Sequence, residues 1–359
     1  MAITELKIQF PLVIKHLVKL CFPLTVAVTL SLSPLKAQAA LVVGGFFNNN
    51  SILRYDETTG NLIDVFVPSG TGGLVIPASI TVGPDHNLYV GSIGTDSILR
   101  YNTTTGAFID TFVPSGSGGL AFPFGLTFGP DGNLYVGNVA NQSIMRFNGT
   151  TGAFIDTFVP AGSGGLFGLG GLTFGPDKNL YIGSFATSNV LRYNGTTGAF
   201  MDAFVPSGSA GLTNPLGLTF GPDGDLYVSS HASNSILRYN GTTGAFIDTF
   251  VSPGTGGLAF PARIAFGPDH DLYVQNYLGQ VAVTGEFISG LQASNILHYN
   301  GTTGAFVNLV VPADSNGVDN IGGLAFTSST SVPEPASTVG LLMLGVWGMV
   351  SQVKHKLKK

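Results

Sequence analysis

The sequence predicts an all-β protein, a six-bladed β-propeller of four-stranded antiparallel blades, and three observations carry that prediction. Variants of the segment Ser-Ile-Leu-Arg-Tyr place Arg54, Arg100, Arg146, Arg192 and Arg238 at intervals of 46 residues, and His298 follows after 60. A Gly-Pro-Asp turn keeps the same ruler at Asp85, Asp131, Asp177, Asp223 and Asp269. Each period holds four short apolar segments parted by turn residues, and four strands repeated about every 40 to 50 residues are the mark of propeller blades.

The second repeat shows the elements in order. Residues 124–128 (FGLTF) form a first strand, and Gly129-Pro130-Asp131-Gly132 supplies the fixed and positive φ values of a tight reversal. Residues 134–137 (LYVG) and 143–147 (SIMRF) form the second and third strands. Asn148-Gly149-Thr150-Thr151-Gly152 then makes a hairpin turn of the kind Asn-Gly favours, leading to a fourth strand at 153–159. The chain of repeats begins with a second strand at 41–44 (LVVG) and ends with a first strand at 323–326 (GLAF). One blade is therefore expected to combine three N-terminal strands with one C-terminal strand, a 3+1 closure that satisfies edges a linear array would leave open.

Composition agrees. Among 359 residues there are 51 glycines and 20 prolines, while only 10% are charged, which describes a turn-rich chain of short strands. Residues 40–331 hold seven basic and eighteen acidic residues, a net charge of −11 with histidine neutral. Nucleic acid is excluded as a partner on that basis, since its affinity rests on cationic side chains neutralising phosphates. The single cysteine, Cys21, lies in the N-terminal segment, so the repeats must be held by packing without an internal disulfide.

The ends differ from the middle. Residues 1–39 carry lysines, then an apolar run at 21–32, then Ala37-Gln38-Ala39, which fits the small-residue rule of signal peptidase. An exported protein is expected, with an N-terminal membrane anchor as the competing reading. Residues 332–359 open with Val332-Pro333-Glu334-Pro335, continue as an apolar segment at 336–350 and finish in Lys354, His355, Lys356, Lys358 and Lys359. The apolar segment suits a C-terminal transmembrane helix near the lower length limit, with the lysines held in the cytoplasm. This arrangement closely resembles the PEP-CTERM sorting signal. The resemblance implies an exosortase-type processing enzyme as partner, and delivery to the cell surface or an extracellular matrix.

The repeat itself, in the order Pro-x-Gly-Leu-Thr-Phe-Gly-Pro-Asp-Gly-Asn-Leu-Tyr-Val-Gly and then Ile-Met-Arg-Phe-Asn, resembles NHL-repeat propellers over nearly all of residues 41–327. It departs from them after the second strand, where Ser92, Asn138, Ser184, Ser230 and Asn276 stand in place of the usual aspartate.

Several residues offer chemistry. Each of five blades sets an arginine ten residues before an aspartate, as in Arg146 and Asp156, and in the sixth both change together, to His298 and Asn308. A cross-strand ion pair is expected. The pairs Asp131/Asn133, Asp223/Asp225 and Asp269/Asp271 have a spacing that oxygen ligands of calcium use. They lack the distant bidentate glutamate of an EF-hand-like loop, so turn chemistry is expected and neither a metal site nor a cofactor is assigned. The first strands should line the axis with Ser79, Gly125, Gly171, Gly217, Arg263 and Gly323, a set without carboxylate or histidine. General acid–base chemistry has no carrier there. Arg263 stands alone as a cation, suited either to an anion or to a carbonyl or acidic loop. Phe47, Ile93, Val139, Phe185, His231 and Tyr277 share one position after the second strand, either as an aromatic and apolar platform for sugars or peptides or packed beneath their own loops. An insertion at 278–291 reads as an added hairpin over that face. The expected function is a non-enzymatic binding or scaffold module for polysaccharide or protein, with Phe47, Phe185, His231, Arg263 and Tyr277 as ligand-binding candidates. The alternative is a lactonase-like or streptogramin-lyase-like hydrolase or lyase that recruits His231, Asp96 and Glu286.

Overall fold

The computed structural model describes residues 39–45, 49–278, 294–313 and 321–327. Residues 1–38 of the expected signal segment, Ala37 among them, the expected C-terminal helix and sorting motif at 332–335, Phe47 and all but the first residue of the insertion lie outside the described residues.

The first blade takes β1 (Ala40–Gly45), β2 (Ile52–Asp56) and β3 (Leu62–Val67) from the start of the repeats. The second comprises β4 (Pro77–Val82), β5 (Asn87–Ser92), β6 (Ser97–Asn102) and β7 (Phe108–Val113). The third comprises β8 (Pro123–Phe128), β9 (Leu134–Asn138), β10 (Ser143–Phe147) and β11 (Phe154–Val159). The fourth and fifth repeat the plan with β12 (Leu169–Phe174), β13 (Leu180–Ser184), β14 (Asn189–Tyr193) and β15 (Phe200–Val205), then β16 (Pro215–Phe220), β17 (Leu226–Ser230), β18 (Ser235–Tyr239) and β19 (Phe246–Val251). The sixth holds β20 (Pro261–Phe266), β21 (Leu272–Tyr277), β22 (Ser294–Tyr299) and β23 (Phe306–Val311), and β24 (Ile321–Thr327) returns to pair antiparallel with β1. The result is six four-stranded sheets, the first in the order β24-β1-β2-β3. The innermost strands β4, β8, β12, β16, β20 and β24 are neighbours in turn around a closed ring.

Each turn follows from its residues. In the Gly129–Gly132 reversal the Gly132 N–H reaches the Gly129 carbonyl at 2.9 Å, and Gly132 has φ 77°. In the following hairpin Asn148 Oδ1 accepts the N–H groups of Thr150 and Thr151 at 3.0 and 2.9 Å, so the side chain completes the turn. The glycine-rich stretches serve packing: a Cβ at Gly118 would stand 2.2 Å from the Phe154 ring, which lies directly upon it.

Blades adhere through tyrosine. Tyr135 is fully buried, its hydroxyl donates to Asp131 at 3.1 Å, and its ring meets Phe158 of its own outer strand edge-on at 4.8 Å. It also meets Phe174 of the next blade at 4.9 Å. Such pairs contribute about 0.5–1.5 kcal/mol beyond area burial. Tyr273 meets Phe326 of β24 in the same way at 4.9 Å, so the closing strand obeys the rule of the others. The anticipated ion pair forms as well: Arg146 Nε donates to Asp156 at 3.1 Å while its guanidinium covers Phe158 at 4.9 Å. With Asp156 at 43% exposure, the ionic part is worth about 0.2–1 kcal/mol.

Candidate functional site at the channel mouth

The axis is lined as the repeat register required. Ser79, Gly125, Gly171, Gly217, Arg263 and Gly323, each with the residue that follows it, surround a cavity of about 130 Å³. Glycine dominates because the inner strands crowd one another: a Cβ at Gly217 would lie 2.2 Å from the Ala262 carbonyl oxygen.

Arg263, from the sixth blade, reaches across this space. Its Nη2 donates to the Ala78 carbonyl and to Ser79 Oγ of the second blade, both at 3.3 Å, and its guanidinium carbon lies 4.1 Å from the centroid of Phe124 in the third. No carboxylate among the described residues pairs with it. Burial pushes its pKa down to about 10, which leaves it cationic at neutral pH. A cation–π contact and two neutral acceptors offset only part of the desolvation cost, and an incoming anion would supply the rest.

The mouth is aromatic. His231 lies among Phe185, Phe260 and Tyr277, with ring centroids 6.1, 5.6 and 6.2 Å away. Tyr277 is the link to the axis: burial pushes its phenol up, and the positive charge of Arg263 opposes that rise. His231 is 4% exposed, its Nδ1 lies 3.2 Å from the Pro261 carbonyl, and its Nε2 has no hydrogen-bond partner. With Nδ1–H donating to that carbonyl, Nε2 is an acceptor. Ile93 is buried and packs with Ala78 and Phe124, with Val139 against them, so this half of the ring is apolar wall. Of the ligand-binding candidates, the structure brings Phe185, His231, Tyr277 and Arg263 together.

A set of contacts invisible in any single repeat positions this rim. The residue just before five of the inner strands is left-handed, at Ile76, Phe122, Gly168, Asn214 and Phe260. Its carbonyl accepts the N–H of the ring position of its own blade, as Phe260 does from Tyr277 and Gly168 from Phe185. Its own N–H is held by a side chain of the preceding blade: Asn50 holds Ile76, Asp96 holds Phe122, Gln142 holds Gly168, Ser188 holds Asn214 and Asn234 holds Phe260. Ser294 holds Ile321 of the closing strand likewise. Asp96, a candidate for the enzymatic reading, is thus engaged at 2.7 Å. The signal was present in the 46-residue ruler, as a polar residue one or two places before each third strand, but its partner lies 26 residues away.

The chain is therefore a six-bladed β-propeller with a cationic channel and an aromatic rim. No protein-family model and no curated protein matches it. Solved structures resemble it. A protein of unknown function from Bacteroides caccae is 17% identical, with 81% of this chain and 99% of that one covered at a TM-score of 0.58. A chain of the nidogen/laminin complex is 14% identical, with 81% and 99% covered at 0.58. Catalytically inactive virginiamycin B lyase from Staphylococcus aureus, with quinupristin, is 16% identical, with 82% and 94% covered at 0.52. At these identities the likeness is one of fold, and it agrees with the propeller read from the repeat.

Proposed function

We propose that this chain is an exported binding module of the cell surface or extracellular matrix, whose channel mouth takes a single small anionic group, foremost a carboxylate, carried by a polysaccharide or protein. The observation that carries the binding reading is Arg263, a half-buried cation facing the channel with no acidic partner among the described residues. The cavity of about 130 Å³ is smaller than the roughly 150 Å³ that holds benzene, so a sugar ring would rest on the rim while its carboxylate enters. Phe185 and Tyr277, each part-exposed, offer flat apolar surface, with His231 buried behind them. The acidic surface disfavours a polyanion, so one acidic terminus fits better than an acidic chain. Export rests on the segment at 1–39, and surface delivery on the Pro-Glu-Pro tail at 332–359.

The test is an array of oligosaccharides ending in a uronic acid, with neutral counterparts, and of peptides with free or amidated C-termini. Wild type should prefer carboxylates, and Arg263→Gln should lower that binding at least tenfold. Binding unchanged by Arg263→Gln and by substitution of Phe185 and Tyr277 overturns the proposal. The lyase or lactonase reading has His231 Nε2 as its support. It lacks a visible acid partner among the described residues, since Asp96 is bound to Phe122.

A further inference from the structure

The sixth blade breaks the ion-pair rule of the other five, and both members of the pair change together. Arginine becomes His298 and its aspartate becomes Asn308, while the turn carries Asp271, as the fifth blade carries Asp225, where blades two to four have Asn87, Asn133 and Asn179. Glu57, on the neighbouring first blade, stands where the other repeats have Thr103, Gly149, Gly195, Gly241 and Gly301. A fixed cation is lost here while acidic groups are gained.

The geometry that results is that of ligands. One potential donor atom from each of Asp269, Asp271 and His298 lies within 4.8 Å of the others. His298 is 8% exposed and stacks on Tyr273 at 4.4 Å. Its Nδ1 is 3.0 Å from Asn308 Oδ1, an atom that only accepts, which gives Nδ1 the donor role and leaves Nε2, facing the carboxylates, as the atom a metal would take. That nitrogen is 3.0 Å from Asp271 Oδ2 and 3.6 Å from Asp269 Oδ2. Ligand atoms bound at about 2.0–2.2 Å stand roughly 2.8–3.6 Å apart around a tetrahedral or octahedral cation, and the two distances from His298 Nε2 fall at that spacing. The carboxylates are already oriented: Asp271 Oδ1 accepts the Gly301 N–H at 2.7 Å, and Asp269 accepts from the Asp271 N–H at 3.1 Å and from Tyr273 at 2.9 Å. A further observation comes from across the blade interface. Glu57 Oε2 is buried without a hydrogen-bond partner, and Glu57 feels the charge of Asp269.

We infer that Asp269, Asp271 and His298 hold a divalent first-row metal cation. The mixed nitrogen and oxygen donors suit Zn²⁺ or Mn²⁺. The competing structure is a metal-free His298 hydrogen-bonded to Asn308 and Asp271 in the place of arginine.

Native mass spectrometry and thermal melts of the untagged full chain, stripped with chelator and supplied with Zn²⁺, Mn²⁺ or Ca²⁺, decide between them. One Zn²⁺ or Mn²⁺ should bind per chain and raise the melting temperature by several degrees. Asp271→Asn, which installs the residue of three other blades, should fold and lose at least tenfold in affinity. His298→Arg with Asn308→Asp, which restores the ion pair of the other blades, should fold and abolish binding. Absence of any bound cation overturns the inference, as does binding that survives both variants. Binding of Ca²⁺ alone overturns the imidazole as donor.

Discussion

Arg263 occupies a position that is glycine in four of the five equivalent strands, and its side chain crosses the channel to Ala78, Ser79 and Phe124. His231 shows the complementary case, a polar group buried among aromatic rings. Burial lowers its pKa below the ordinary 6.5, so the folded protein binds fewer protons than the unfolded chain once pH falls through that value. Stability is full above about pH 6.5 and declines below it, with a limiting slope of about 1.4 kcal/mol per pH unit. Tyr277 is the one titratable ring packed against it and is neutral throughout that window. His231→Leu should flatten this acid limb. Urea midpoints of both proteins between pH 5 and 7.5 check it, and parallel slopes would refute it.

Strands and their links form the next level. Between third and fourth strands every blade shows two register shifts, as at Ile144/Met145 and Arg146/Phe147. Bulges there twist the outer edge, which blunts it against pairing with another chain. Cohesion between blades at the mouth depends on the side chains that hold each left-handed residue. Asn234 receives the Phe260 N–H at 2.7 Å, and its loss leaves a part-buried donor unpaired at a residue with φ 45°. Asn234→Ala should therefore cost about 1–3 kcal/mol. Hydrogen exchange should report it first at the amides of Phe260 and Tyr277, next to the aromatic rim. Uniform acceleration across all blades would show that the contact has no local role.

At the scale of the molecule the ring is closed by hydrogen bonds between its two ends. β1 begins at Ala40 and pairs with both β2 and β24, so any processing that entered it would open the first blade. Cleavage after Ala39 leaves it whole. The proposal of export therefore expects a mature chain that begins at Ala40, and N-terminal sequencing with intact mass checks this. A start within β1 would be incompatible with closure, and retention of residues 1–39 would support the anchored reading instead.

The repeat made the fold legible because each blade carries its own complete instructions: apolar strands, a Gly-Pro-Asp reversal, an Asn-Gly hairpin and tyrosine at a fixed phase. The axial residues were legible too, since strand order fixes which strand is innermost. Contacts between blades were not. The hold of Asn234 on Phe260 joins residues 26 apart, the edge-on contact of Tyr135 with Phe174 joins two repeats, and Glu57 feels the charge of Asp269 from the far end of the sequence. Sequence by itself determined the blade, its count and its closure, because those depend on short-range patterning and a regular period. Only the tertiary structure decided which side chains meet across blade interfaces, because the angle at which neighbouring sheets pack sets those distances and no local pattern encodes it.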